Sequence, residues 1–434
     1  MNRLLLINPW IYDFAAYDLW IKPWGFLKIS AILKKQGFKV NFIDLLDDSI
    51  EDGKKRKRHS NGTGKFFSEE IVKPGIIKNI PRRYKRYGIR PETFQEKLPQ
   101  EPPDCVFVSS GMTYWYPGTF SVIKAIREKY KNTQIVLGGI YATLAYEHAL
   151  QNSGADLVIR NSELNKISSI VGGKCDFSFN NILNETIDYD WYSNPQYAVL
   201  RVSIGCPFDC SYCAQKKISP EFIFKDIDKA VLEFKYLYDL GIRNFAFYDD
   251  ALLFDQKNII EYFQRIRSLR AEAYFYTPNG LHARYLSEEI VALMKEINFI
   301  NPILSLEIAD DKKSGDFHSK VTSEELILAV GNFNKAGYKK GEYTVYLMLG
   351  MPGISIEDVD KSLDFVHSLG GRISLSEFTP VSGTVLSKGF PEALEEPLLQ
   401  NNSVFPAYAL EEWGDVQKVK RKATELNRRL VSSR

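Results

Sequence analysis

The chain has 434 residues, 44% apolar and 25% charged, and its 56 Lys and Arg residues nearly balance 54 Asp and Glu residues. This composition excludes a generally disordered chain and a uniformly basic coat for nucleic acid. Single hydrophobic cores stop growing near about 250–300 residues, so the length predicts two domains with room for an appendage. The N-terminal apolar run is short and no apolar stretch has spanning length, so we expect a cytoplasmic protein without a membrane span.

Residues 1–171 alternate between strand and helix patterns, which predicts a doubly wound, Rossmann-like domain. The predicted strands are 4–7, 39–44, 105–109, 134–137 and 155–159, and the predicted helices are 25–36 and 117–130. No GxGxxG motif follows the first strand, which disfavours a dehydrogenase.

Residues 51–100 form a predicted insertion between the second and third strands. The insertion holds 14 Lys and Arg against six Asp and Glu, a net charge of +8, whereas the rest of the chain is net −6. A solvated basic insertion is the simpler interpretation, and a surface that holds an anionic substrate or an acidic partner is the other.

The alternating pattern resumes after residues 172–196, which show little periodicity and are predicted to be a linker. Between 197 and 385 the predicted strands are 197–203, 243–248, 272–276, 302–308, 342–349 and 372–378, each but the last followed by a predicted helix. Six such units predict a partial (β/α)6 TIM-type barrel, with its chemistry at the carboxyl ends of the strands. Residues 386–434 are a predicted C-terminal extension whose charged helix packs on the barrel or on a partner.

Three of the five cysteines, Cys206, Cys210 and Cys213, lie just after the first predicted barrel strand. Their spacing would also place three small apolar residues on one helix face, but Gly205 and Pro207 favour an irregular turn. Structural zinc ordinarily takes four protein ligands, and this cluster offers three. Three thiolates instead suit a cubane of four irons and four sulfurs with one iron open to a substrate, which indicates catalysis.

This CxxxCxxC motif, with Tyr212 before the last cysteine, resembles the radical S-adenosylmethionine (SAM) superfamily over residues 197–385. The resemblance implies that the three cysteines bind a 4Fe-4S cluster, whose unique iron binds the amino and carboxylate groups of SAM. Electron transfer would then cleave the sulfonium and give a 5′-deoxyadenosyl radical. A low-potential electron donor of the flavodoxin or ferredoxin type is implied as a partner.

The resemblance also assigns cosubstrate contacts to polar residues and glycines at the predicted barrel rim. Asp249 and Asp250 resemble the motif for the methionine ammonium group, with a helix cap as the alternative. Glu307 interrupts an apolar strand and resembles the acidic residue that accepts ribose hydroxyls. Tight turns, for which ordinary turn chemistry is the alternative, add three predicted contacts, Asn279, Gly350 and Gly353.

The N-terminal domain resembles the cobalamin-binding domain that precedes the barrel in one large radical SAM subfamily. Small residues at the predicted strand ends would open a crevice for a corrin or its nucleotide tail, and a generic Rossmann-like core is the alternative. The predicted cobalamin contacts are Ser109, Ser110, Gly138, Gly139, Tyr114 and Trp115.

Two features of this domain bear on the cofactor. No histidine precedes His59, so the lower-axial histidine of methionine synthase domains is missing and cobalt would carry water, another side chain or nothing there. Predicted loops at one end of the domain hold four tryptophans, Trp10, Trp20, Trp24 and Trp115. They suit an apolar cofactor pocket or a contact between domains.

The residues and the resemblance together predict a cobalamin-dependent radical SAM enzyme, a methyltransferase at an unactivated carbon or, second, at phosphorus. One rival keeps both cofactors and catalyses cyclisation, rearrangement or oxidation without methyl transfer. Another is a non-enzymatic protein with a zinc-held cysteine loop, whose basic insertion binds nucleic acid. The sequence does not reveal the substrate.

Overall fold

The computed structural model describes residues 2–47, 49, 58–317, 321–405 and 413–432. It shows a mixed α/β chain with an N-terminal doubly wound unit, a partial barrel and a C-terminal extension, in agreement with the predicted fold class. Within these ranges, none of the helices combines the length and apolar character that a bilayer crossing requires.

The N-terminal unit is built on five parallel strands. The strands are β1 (Arg3–Asn8), β2 (Lys39–Asp44), β3 (Cys105–Val108), β4 (Gln134–Leu137) and β5 (Leu157–Val158), and the two long helices are α1 (Trp24–Lys35) and α2 (Tyr116–Lys129). Their spatial order is β2-β1-β3-β4-β5, which puts the topological switch point between β1 and β3. A crevice for a ligand is therefore expected beyond the carboxyl ends of these two strands.

The described part of the basic insertion, residues 58–100, is folded against this unit. Strands Ser68–Glu70 and Ile11–Asp13 flank the strand Lys85–Tyr87 in an antiparallel sheet. Tyr84 and Phe94 are buried, and Arg86 pairs with Glu69. The apolar residues of this part enter the core, whereas Lys78, Arg82 and Arg83 are exposed, in keeping with the simpler interpretation of its charge as solvated. The basic run at 54–57 lies outside the described residues.

The predicted linker is an integral part of the core. It contains the helix Phe179–Asn184, whose first turn is capped by the Ser178 side chain. Ile187, Tyr189 and Tyr192 are buried in the same apolar cluster as α1 and the barrel helices. The two units therefore share one continuous core across this segment.

The barrel contains the six predicted parallel strands. They are β6 (Ala198–Leu200), β7 (Asn244–Phe247), β8 (Tyr274–Tyr276), β9 (Ile303–Glu307), β10 (Thr344–Leu349) and β11 (Arg372–Glu377), and the helices between them are α3 (Ile227–Asp239), α4 (Gln256–Ser268), α5 (Glu288–Glu296), α6 (Ser323–Lys335) and α7 (Ile356–Ser368). β6 to β8 form one sheet and β9 to β11 another, the latter extended by the short strand Leu281–His282. A parallel bridge between Phe275 and Phe299 continues the first sheet toward the second. Their carboxyl ends share one mouth.

The C-terminal helix α8 (Trp413–Ser432) packs on the barrel, in agreement with the first of the two predicted locations. The Asn427 side chain donates to the Ile373 carbonyl at 2.8 Å and accepts from the Ile373 amide at 2.7 Å. These bonds give the amide and the carbonyl of Ile373 hydrogen-bond partners on the edge of the sheet formed by β11. Before α8, Gln400 reaches the N-terminal unit and accepts a hydrogen bond from Thr113.

A buried charge cluster joins the N-terminal unit to the barrel. Glu233 on α3 pairs with Lys28 of α1 and with Lys225, and each of these residues is at most 2% exposed. Its carboxylate also accepts a hydrogen bond from the Ile187 amide at 2.9 Å. Burial lowers the pKa of Lys28 to about 7, against the opposing attraction of Glu233. One carboxylate thus connects α1, the linker and α3.

Replacing this carboxylate should weaken the whole fold. Glu233→Ala leaves two buried lysines without their shared anion, which typically costs about 3–5 kcal/mol. We expect a clear fall in the urea midpoint measured by circular dichroism. The control is Glu357→Ala, which removes a solvent-exposed partner of Lys361 and should leave the midpoint unchanged. Equal midpoints for the two variants would contradict the role of Glu233.

Candidate active site

The three clustered cysteines lie in an irregular loop between the short strand Ser203–Ile204 and the helix Gln215–Ile218. Because this loop is not helical, the alternative of three cysteines on one helix face is wrong. Cys206 and Cys210 are 4% and 5% exposed, Cys213 is exposed, and none of the three forms a disulfide bond. The loop therefore offers three thiol donors with two of them held inside the protein.

Asp250 braces this loop at both ends. Its carboxylate accepts a hydrogen bond from the Gly205 amide at 3.2 Å and from the Gln215 side chain at 2.7 Å, and it pairs with Arg201. Gly205 has a φ of +85°, and a Cβ there would lie 2.0 Å from the Glu221 carbonyl oxygen. The loop therefore depends on a carboxylate and on a glycine. Arg201 and Gln215 were not singled out from the sequence, although both flank the motif.

Asp249 is buried beside the same loop. Its Oδ1 accepts hydrogen bonds from the Val202 amide at 3.0 Å and from the Ser203 amide and hydroxyl, whereas its Oδ2 has no hydrogen-bond partner among the described residues. Burial raises the pKa of Asp249 to about 7. The following helix α4 is capped by Asp255, so the helix-cap alternative for Asp249 and Asp250 is wrong.

The donor set of the loop fits a cubane. In the described part of the chain, no three His, Cys, Asp or Glu side chains are grouped to hold a single metal ion. A cubane needs no such group, because each cysteine binds a different iron. Three thiols outside any disulfide, at this spacing, fit three irons and leave the fourth open, whereas structural zinc ordinarily takes four ligands.

Tyr212 and Glu307 lie close to the cysteines at the barrel mouth. Burial, the Glu307 carboxylate and the Cys210 sulfur all raise the pKa of the Tyr212 hydroxyl. Glu307 ends β9 beside a register shift and has a φ of +71°, a left-handed conformation that is strained for a residue with a side chain. Such strain is typical of functional sites, and periodicity in the sequence gave no sign of it.

The predicted rim turns differ in what holds them in place. The Asn279 side chain donates to the Tyr248 carbonyl at 3.0 Å and so ties its turn to the end of β7. Gly350 and Gly353 have φ values of +83° and +78° in the turn after β10. A Cβ at Gly353 would meet nothing within 4 Å, so the backbone conformation alone accounts for that glycine. Cosubstrate contacts for these residues stay predictions.

The predicted crevice residues of the N-terminal unit form one connected edge. Ser109 donates to the Asn8 side chain at 3.0 Å, and Ser110 donates to the Gly138 carbonyl at 2.6 Å. Gly139 has a φ of +99°, and a Cβ there would lie 2.5 Å from the Ser110 carbonyl oxygen. The loops after β1, β3 and β4 are thus held together at the switch point.

Tyr114 and Trp115 connect this edge to the rest of the molecule. The Trp115 indole donates to Asp13 at 2.8 Å, and Asn401 of the C-terminal extension donates to the same carboxylate at 2.9 Å. Burial raises the pKa of Tyr114, as do the nearby carboxylates of Asp13 and Glu377. At the same edge, the Asn161 side chain donates to the Ile218 carbonyl at 3.3 Å, just after the cysteine loop, so the crevice of the N-terminal unit faces the barrel mouth.

The other predicted tryptophans have separate roles. Trp20 stacks on Tyr276 of β8 with ring centroids 4.6 Å apart, which is a contact between the two units. Trp10 is buried and donates to the Ile89 carbonyl at 2.6 Å. Trp24 is the first residue of α1, so its predicted loop position is wrong. The contacts of Trp20 and Trp10 are with other protein groups and do not by themselves indicate a cofactor pocket.

Another aromatic contact, not singled out from the sequence, lies against the cysteine loop. His282 is buried, and the centroid of its ring lies 4.4 Å from that of Phe208. Phe208 lies between Cys206 and Cys210 in the sequence. Both rings sit among other aromatic residues, including Tyr285. A strand of two residues carries His282, which is too short for periodicity to indicate.

Comparisons with known proteins agree with both units. Residues 200–366 match the Radical SAM superfamily, and residues 83–166 match the B12 binding domain. The radical SAM methyltransferase TsrM from Kitasatospora setae, solved with tryptophan and a SAM analog, aligns with a TM-score of 0.67. It is 14% identical, and the alignment covers 90% of this chain and 77% of TsrM. A second TsrM structure contains cobalamin and a [4Fe-4S] cluster.

Two curated relatives align over about half of this chain. The ribosomal protein uS12 methylthiotransferase RimO of Bacteroides fragilis is 22% identical over 47% of this chain and 49% of its own length. An anaerobic magnesium-protoporphyrin IX monomethyl ester cyclase of Cereibacter sphaeroides is 23% identical over 54% of this chain and 45% of its own. The chain thus spans about half the length of these relatives. The radical SAM match overturns the alternative of a non-enzymatic zinc and nucleic-acid binder.

The close approach at Gly205 gives a test of the loop. Gly205→Ala would drive a methyl group into the Glu221 carbonyl, so the loop must move and the buried thiols should become reactive. The control is Gly241→Ala, which shares the positive φ but meets nothing within 4 Å and should cost only about 1–2 kcal/mol. Thiol labelling of the apo protein with mass detection measures the effect. Continued protection of Cys206 and Cys210 in Gly205→Ala would contradict it.

The buried Asp249 predicts a pH dependence of stability. Its pKa is raised in the folded state, so the folded protein binds more protons than the unfolded chain between about pH 4 and 7. The stability that it contributes therefore falls as pH rises through this range. Asp249→Asn keeps the Oδ1 acceptor without the titration, so its advantage over the wild type should grow from pH 5 to 8. Parallel urea midpoints across these pH values would refute the assignment.

Proposed function

Because the chain belongs to the radical SAM superfamily and carries a B12-binding domain, we propose that it is a cobalamin-dependent methyltransferase acting at an unactivated carbon. The observation that carries the proposal is a direct contact beside the cysteine loop, where the Asn161 side chain, in the turn after β5, donates to the Ile218 carbonyl at 3.3 Å. It brings the crevice edge of the N-terminal unit to the barrel mouth, so groups bound in the two places would face each other. The likeness to TsrM, a methyltransferase, supports the same choice.

The cysteine loop would hold the cluster through Cys206, Cys210 and Cys213. The cluster with SAM supplies a 5′-deoxyadenosyl radical, and cobalamin carries the methyl group. The buried positions of Cys206 and Cys210 keep water away from two of the ligands. Radical SAM enzymes need a reducing electron donor, and a flavodoxin or ferredoxin is the class we propose.

The rim residues would orient SAM. The strained Glu307 carboxylate lies beside Tyr212 and near the cysteines, which suits it to accept ribose hydroxyls. The Oδ2 atom of Asp249 is a buried acceptor without a hydrogen-bond partner, which suits an ammonium group. Asp250 already accepts three donors, so bracing the loop is its main role. Gly350 and Asn279 would shape the turns around the nucleoside.

The edge formed by Ser109, Ser110, Gly138 and Gly139 would contact cobalamin. Small side chains and tight turns allow a flat group to approach the backbone at the switch point. Tyr114 adjoins Thr113, which donates to Gln400 of the C-terminal extension at 2.6 Å, so it would lie where the N-terminal unit meets the rest of the molecule. Trp115 would support the loop through Asp13 rather than contact the corrin.

A second candidate is a reaction without methyl transfer. The likeness to the magnesium-protoporphyrin ester cyclase favours it, since that relative is named for ring closure. The same cysteine loop would serve both reactions. The products of SAM distinguish the two, because methylation yields S-adenosylhomocysteine alongside 5′-deoxyadenosine and the rival yields 5′-deoxyadenosine alone.

Anaerobic reconstitution with iron, sulfide and cobalamin tests the proposal. The wild type should bind about 4 iron atoms and one corrinoid per chain, and Cys206→Ala/Cys210→Ala/Cys213→Ala should lose the iron. The control is Cys175→Ala, which removes a buried cysteine outside the loop and should keep the iron. With methyl-labelled SAM and a protein-free cell extract, cobalamin-dependent label should appear in a small molecule. Iron without S-adenosylhomocysteine would favour the rival, and no iron would refute both.

A further inference from the structure

The outer face of the cysteine loop carries an exposed, positively charged patch. We define the patch by Cys213, Lys216 and Lys217 on one side and Val385 and Lys388 on the other. Cys213 is exposed, unlike Cys206 and Cys210, and it lies three residues before Lys216. All three lysines are exposed, and Val385 is 63% exposed.

The two sides of the patch are held together by direct contacts. The Leu386 amide donates to the Ser211 carbonyl at 3.1 Å, which fixes the 383–388 segment along the cysteine loop. A Cβ at Gly383 would lie 3.3 Å from Cγ of Lys217, so this lysine packs against the same segment. The lysines, the apolar Val385 and Cys213 therefore form one surface rather than separate exposed residues.

The charge of the patch is mostly uncompensated. Lys216 lies 3.5 Å from Asp209, and both side chains are well exposed. Among the described residues, no ion-pair partner is found for Lys217 or Lys388. Three lysines against one aspartate leave a net charge of +2, which would attract an acidic surface.

The other approaches to the cysteines are covered. The N-terminal unit closes over the barrel mouth, where the Asn161 side chain donates to the Ile218 carbonyl at 3.3 Å. The C-terminal extension covers the neighbouring side, where Phe405 packs with Phe378 in a cluster that Tyr212 joins. Cys213 is thus the cysteine with the shortest route to solvent.

We infer that this patch is the docking surface for the electron donor, a redox protein whose cofactor is surrounded by acidic side chains. The inference rests on the iron–sulfur cluster of the proposed function. One electron passes from the reduced donor to the cluster, so the donor is oxidised by one electron and the cluster is reduced by one. The lysines would orient the donor, and Val385 would supply an apolar contact near the transfer route.

Charge reversal tests the inference in the reconstituted full-length protein. The probe is a reduced bacterial flavodoxin, mixed anaerobically with the protein while cluster absorbance is followed at several salt concentrations. Lys217→Glu/Lys388→Glu should slow cluster reduction about tenfold or more at low salt and abolish its salt dependence. Photoreduced 5-deazaflavin, a small reductant, should reduce the same variant within about twofold of the wild-type rate.

The matched control is Lys235→Glu/Arg421→Glu, which makes the same charge change at exposed positions on α3 and α8. It should leave flavodoxin reduction within about twofold of the wild type. The milder Lys217→Gln/Lys388→Gln should give an intermediate rate, and circular dichroism checks its fold. Flavodoxin binding to the apo protein, measured by calorimetry, should weaken only in the two patch variants.

Equal slowing in the patch and control variants, or no slowing in either, would overturn the inference. The inference would also be overturned if both flavodoxin and 5-deazaflavin reduced the cluster of the patch variant more slowly, because the defect would then lie in the cluster. These outcomes differ from a failure of the proposed function, in which the reconstituted wild type would contain no reducible iron.

Discussion

The arrangement of the molecule depends on one buried carboxylate. Glu233 lies on a barrel helix, and its partners Lys28, Lys225 and the Ile187 amide come from three other segments. None of these groups can reach water. Any shift of α1 relative to α3 that separates Lys28 from Glu233 would therefore leave a buried charge unpaired. The relative orientation of the two units is therefore set by electrostatics as well as by packing. That orientation brings the crevice edge to the barrel mouth.

Within the site, acidic side chains again hold separate backbone segments together. Asp250 fastens the cysteine loop by accepting hydrogen bonds from residues on both sides of it, and Asp249 fixes the backbone at 202–203. The loop therefore needs no bound group to define its entry and exit. Gly205 has a left-handed backbone that a glycine tolerates, and Glu307 has one beside the register shift of β9, where it is strained. A preformed loop of this kind reduces the ordering needed when a ligand binds.

Much of the fold could be predicted because its signals are local. The strands of both units are short apolar runs between helical patterns, and the cysteine spacing is a strong local motif. The contacts that brace the motif were not predictable, since Arg201, Asp250 and Gln215 meet only after folding. The sequence pattern did not predict that residues 172–196 are buried, because their aromatic residues lack periodicity. These residues also pack against elements distant in sequence. The left-handed backbone of Glu307 follows from a register shift that no residue type encodes.

The placement of the cysteine loop separates two tasks that would otherwise compete. Tyr212 lies on the inner side of the loop, near Glu307 and the covered barrel mouth, where a radical must be kept from water. Cys213 and its lysines lie on the outer side, where a large partner can approach. In the proposed function, an electron would then enter the cluster from the outer side, whereas SAM and the substrate would lie on the inner side. The loop lies between the two faces, and Asp250 anchors it at Gly205 on one side and at Gln215 on the other.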